Sequence, residues 1–128
     1  MITSYPIPLT VYTLGTLVVV KMVPVHGPCR IRASVWVSAL VGAPSIVFDL
    51  YNDDAMYNNV FAGAGPLTKV LNSAGVAVTT AAIVAAGLVD ISTGYTADCR
   101  EAVDLVFTNN VAATGFSVQG VITVTETV

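Results

Sequence analysis

Hydrophobic and polar side chains alternate with a period of two along much of this chain, and that period belongs to β-strands. Ile31, Ala33, Val35 and Val37 alternate with Arg30, Arg32, Ser34, Trp36 and Ser38. A strand of this kind has one dry and one wet face. Phe116, Val118, Gly120, Ile122 and Val124 alternate with Ser117, Gln119, Thr123 and Thr125. Val103, Leu105 and Phe107 oppose Asp104 and Thr108, and Ile46, Phe48 and Leu50 oppose Ser45, Asp49 and Tyr51. Helical spacing is hard to find.

Turn signals separate these runs. They are Gly42-Ala43-Pro44, Asn52-Asp53-Asp54, Gly63-Ala64-Gly65-Pro66, Asn72-Ser73-Ala74-Gly75, Asn109-Asn110 and Ala113-Thr114-Gly115. The pattern predicts seven or eight strands, near 10–14, 17–25, 29–40, 45–51, 57–62, 67–71 or 76–79, 101–108 and 116–127. Short strands at such intervals point to an all-β sandwich or barrel with antiparallel strands. Segment 82–91 stays open: its alanines favour a helix, its Val and Thr neighbours a strand. Residues 1–9 hold Pro6 and Pro8 and no charge. They read as an extended N-terminal arm ahead of one domain, 10–128, with Tyr5, Pro6 and Pro8 as contacts to a neighbour.

Composition changes the picture. Of 128 residues, 55% are apolar and only 10% are charged, against about 25% charged in average domains. So few charges cannot cover the surface of a lone domain, and apolar exposure on that scale marks an interaction surface. The expectation is a protein that is covered in place, by copies of itself or by a partner. The net charge is −3, and the basic residues Lys21, Arg30, Arg32, Lys69 and Arg100 are scattered. Nucleic-acid binding needs a basic footprint that this chain lacks. Val70–Val89 is uncharged over the length of a membrane span, but its Asn, Ser, Gly and Thr residues read as turn and strand. The first twenty residues carry no Lys or Arg, so the basic start of a signal peptide is missing.

Parts for catalysis are few. The single histidine, His26, stands three residues before Cys29 in a Pro/Gly turn, a poor frame for a nucleophile pair. Two cysteines and one histidine match no zinc pattern. Asp49, Asn52, Asp53 and Asp54 lack the glycine and the closing glutamate of a calcium loop and read as turn formers. Asp98, Glu101 and Asp104 are near in sequence, with no sign of a pocket around them. The reading is a non-enzyme without metal or cofactor.

Aromatic residues matter more. Trp36 falls on the polar face of its strand with Arg30 and Arg32, so the three can form one contact patch, since Trp, Tyr and Arg dominate interface energetics. The alternative is a second inner face with Trp36 in the core. Tyr51, Tyr57 and Phe61 flank the acidic turn and supply a second candidate patch.

An apolar strand runs into Val23-Pro24-Val25 and a Gly/Pro turn, then Cys29–Val37, a turn with Gly42 and Pro44, and Ile46–Asn52. A Thr/Ala/Val-rich stretch then leads to the strands Asp104–Phe107 and Phe116–Val124. This pattern resembles the small β-sandwich or jelly-roll proteins of tailed-bacteriophage virions, in particular head decoration (cement) proteins. The resemblance implies a jelly-roll-like fold and a structural role on the capsid exterior, after synthesis in the host cytoplasm. Its partners would be the major capsid protein and copies of itself, as a dimer or trimer. A competing reading is a carbohydrate- or receptor-binding module of a phage tail or fibre, with Trp36, Tyr51 or Tyr57 as a stacking platform.

Overall fold

A computed structural model describes residues 2–12, 15–25, 27–53, 68–72, 74–94, 97–99, 102–109 and 114–126. Its strands are β1 (Ile2–Tyr12), β2 (Gly15–Pro24), β3 (Gly27–Val41), β4 (Ile46–Asp53), β5 (Thr68–Lys69), β6 (Gly87–Ser92), β7 (Ala97–Cys99), β8 (Ala102–Asn109) and β9 (Gly115–Glu126). No helix occurs among the described residues. Segment 82–91, left open above, ends in β6. The strand expected at 57–62 lies outside the described residues.

The strands form two antiparallel sheets. The first has the order β1-β9-β3-β6, with β7 also paired to β3; the second has the order β2-β8-β4-β5. Strands β1 to β4 alternate between the sheets, as do β8 and β9. The β1–β2 ribbon therefore lies along β9–β8, which in turn lies along β3–β4. This is the winding of a jelly roll, a double-sheet way of closing an all-β domain.

The alternating residues decide which way each strand faces. Ile31, Ala33, Val35 and Val37 of β3 are fully buried against Leu105 and Phe107 of β8 and Ile46, Phe48 and Leu50 of β4, all within one core. At one end Phe107 (β8) meets Tyr12 (β1) and Phe116 (β9) edge to face. Ring centroids lie 4.7 Å apart for Tyr12–Phe107 and 4.8 Å for Phe107–Phe116. Each fully buried Phe contributes about 1.5–3 kcal/mol by leaving water, and each such ring pair about 0.5–1.5 kcal/mol more. These contacts join the two sheets.

Two expectations need correction. Residues 1–9 do not stand apart from the sandwich. From Ile2 onward they belong to β1, paired with β9 from Ile2↔Thr125 to Tyr12↔Phe116. Pro6 and Pro8 fit because β1 is an edge strand, where a missing N–H costs no ladder bond, and because Pro8 sits in a bulge between Ile7 and Thr10. Asp104 was expected on a wet face. It is buried, as are all residues from Ala102 to Phe107, so β8 is covered on both faces.

Candidate interaction face

The outer face of the first sheet brings together four of the nine residues singled out as contacts in the sequence, Pro6, Arg30, Arg32 and Trp36. Strand pairing arranges them in rows: Ile2–Thr125–Arg30, then Ser4–Thr123–Arg32–Ser92, then Pro6–Val121–Ser34–Asp90, then Gln119–Trp36–Leu88. The same alternation that buries Ile31 to Val37 turns Arg30, Arg32, Ser34 and Trp36 outward. Trp36 is therefore a surface residue, 46% exposed, not part of a second core. Leu88, directly across from it on β6, is 66% exposed.

One polar cluster on this face is rigidly built. Arg32 grips Asp90 with two parallel bonds, Nε to Oδ1 at 3.0 Å and Nη2 to Oδ2 at 2.8 Å. Ser34 Oγ also donates to Asp90 Oδ1, at 2.7 Å. The bonds from Arg32 and from Ser34 hold the Asp90 carboxyl down at about 2. A bidentate Arg–carboxylate pair fixes orientation as well as charge.

Other sequence candidates fall elsewhere. Tyr5 is half-buried and packs against the core, because its partner Ile122 faces inward. Pro8 is exposed at the β1 bulge. Tyr51 lies on the second sheet, half-buried, with Asp104 opposite on β8 and Lys69 opposite on β5. Lys69 Nζ lies 6.0 Å from the Tyr51 ring centre and 3.3 Å from Asp49 Oδ1. Asp49 and Asn52 alternate to opposite faces of β4, so they do not converge as cation ligands. Tyr57, Phe61 and His26 lie outside the described residues, and Cys29 is buried in the core.

Sequence reasoning missed Leu88, Asp90 and Gln119 as members of the face. The period-two run Gly87-Leu88-Val89-Asp90-Ile91-Ser92 carried the signal for the first two. Nothing local says that β6 lies beside β3, with Asp90 58 positions from Arg32.

The arrangement defines a jelly-roll β-sandwich with one open, mixed polar and apolar sheet face. No protein family and no curated protein matches the chain in sequence. Its fold is similar to chains in structures of infectious bursal disease virus. For the Gt strain the TM-score is 0.57 at 10% identity, and for the Gx strain 0.54 at 9%. In both, 98% of this chain is covered but only 32% of the virus chain. The chain thus spans about a third of the length of those it matches.

Proposed function

We propose that this chain is a structural virion protein, placed on the outside of a tailed-phage capsid, where it bridges neighbouring shell subunits. The observation that carries the reading is apolar exposure spread over the surface: Ile2, Leu9 and Val11 of the edge strand β1 point into solvent, as do Val41, Leu71, Val76, Val84 and Leu88. The likeness of the fold to chains of a virus structure supports it. Protein surfaces of this kind are normally covered.

The contact works through side chains rather than through an added strand. Pro6 and Pro8 interrupt the donor row of the open β1 edge, and the bulge bends it, which blunts strand addition. A single edge strand makes a small interface, so attachment relies on each copy or small oligomer touching several subunits at once.

The test combines solution mass by light scattering with co-sedimentation on purified phage-type shells. A dimer or trimer that sediments with shells, and loses this on Val11→Asp, is the expected result. A monomer that ignores shells overturns the proposal.

A further inference from the structure

The β3–β6 half of the first sheet's outer face is chemically unlike its β1 edge. It presents one aromatic plane, Trp36, among the small or polar side chains Ser34, Ser38, Gln119 and Asp90, with Leu88 and the half-buried Val121 as its apolar neighbours. A protein-docking anchor normally works from a well-packed, desolvated pocket. Here Trp36 stands 46% exposed on a sheet face, and most of its neighbours can hydrogen-bond.

The polar cluster is also only partly spent. Asp90 Oδ2 takes one bond, from Arg32 Nη2, and keeps acceptor capacity; the remaining guanidinium N–H groups keep donor capacity. Acceptor and donors are adjacent, and Ser34 fixes the carboxylate by its bond to Asp90 Oδ1. Asp90, opposite Ser34, is a diagonal neighbour of Trp36, roughly 8 Å away; Arg32 is rooted two outward positions along β3, roughly 13 Å from Trp36, and reaches back to Asp90. A vicinal diol is the ligand group that donates to a carboxylate through one hydroxyl while accepting from a guanidinium through the other. The apolar C–H face of the same pyranose ring stacks on an indole.

We infer that Trp36, with the Arg32–Asp90–Ser34 cluster and Gln119, forms a binding site for a hexopyranose unit of an oligosaccharide. Trp36 supplies the stacking plane, and Arg32 and Asp90 clasp a hydroxyl pair. Asp90 stays ionised over the whole neutral and mildly acidic range, so the acceptor is always present. The site is open and shallow, which favours weak binding per unit, strengthened when several copies engage one polymer. The inference does not depend on attachment to a capsid, because it concerns the isolated protein in solution.

Trp36 is the only tryptophan in the chain, so its fluorescence reports this site alone. The experiment screens the purified protein on an array of neutral hexopyranose oligosaccharides, then titrates the hits while Trp36 emission is followed. A saturable emission change is expected. Asp90→Asn weakens it at least tenfold, Ser34→Ala weakens it less, and Trp36→Ala abolishes retention on the array. Leu71→Ala, away from this face, leaves binding unchanged. Melting curves establish that the variants are folded. No hit on the array, no change in emission, or hits retained by both Trp36→Ala and Asp90→Asn would overturn the inference.

Discussion

A methyl group on Gly120 would stand 2.1 Å from the carbonyl oxygen of Ser34 and 2.8 Å from Cα of Val35. Strands β9 and β3 touch there backbone to backbone, at the centre of the first sheet. Neither atom is the end of a flexible side chain, so one strand must move. Gly120→Ala is therefore expected to cost about 3 kcal/mol, at the upper end for overpacking, and to lower Tm by roughly 10 °C. Thermal denaturation followed by far-UV circular dichroism measures it. A change of only a degree or two means that β9 does not approach β3 as described.

The same Ser34 belongs to the Asp90 cluster, which predicts a pH effect. The folded carboxyl of Asp90 is held at about 2 by Arg32 and Ser34. Its unfolded value is about 3.9. A depressed folded value stabilises above the unfolded one and loses that contribution as pH falls towards the folded one. The pair is largely exposed, so the contribution is below about 1 kcal/mol. Asp90→Asn should thus be slightly less stable than wild type at pH 7, with the gap narrowing between about pH 4 and 2. Urea midpoints for both proteins at pH 7 and at about pH 2.5 test this; a gap of constant size contradicts it.

Beyond Ser38 the pairing of β3 with β9 slips: Ser38 faces Ser117, but Val41 faces Gly115, leaving an extra residue on β3. Ala39 there has φ of 50°, the left-handed region that a Cβ disfavours by roughly 1 kcal/mol. Glycine relieves that strain but adds entropy to the unfolded chain. The expected outcome is that Ala39→Gly changes stability by less than about 0.5 kcal/mol in either direction. Ala33→Gly, in the buried middle of the same strand, should cost about 1 kcal/mol or more. Equal losses at both positions in denaturant titrations would contradict the bulge.

Strands β3, β4, β8 and β9 were legible because each carries long alternation with one face in the core. Strand β1 was not, because Pro6 and Pro8 look like breakers unless the strand is known to be an edge. Pairing partners were illegible too: Arg32 meets Asp90 only through the jelly-roll winding. Three members of the candidate face, Arg30, Arg32 and Trp36, were readable from the parity of β3 alone. The covering of Asp104 was hidden because alternation cannot tell a solvated outer face from one that other chain covers.

The edge-strand assignment itself can be tested by substitution within the segment read as an arm. Ile7 is buried, whereas Leu9, two residues on, is exposed at the bulge. If β1 is integral to the sandwich, Ile7→Ala costs about 2–4 kcal/mol, the range for emptying a core site. Leu9→Ser then stays within about 0.5 kcal/mol. An arm would make both substitutions silent in thermal melts.

Asp49 gives the last prediction. Its carboxylate is buried on β4, and Lys69 Nζ lies 3.3 Å from Oδ1, with the lysine still partly in solvent. Removing the cation leaves a buried charge, and that penalty exceeds the worth of the pair itself. Lys69→Met is therefore expected to cost about 2 kcal/mol, less than for a fully buried pair because water screens the lysine. In the Asp49→Asn background the stranded charge is gone, so the same Lys69→Met change should cost at least about 1 kcal/mol less. A four-protein cycle in urea measures that difference. Costs that simply add would mean that the two side chains are neighbours without coupling, and that Asp49 is stabilised from another direction.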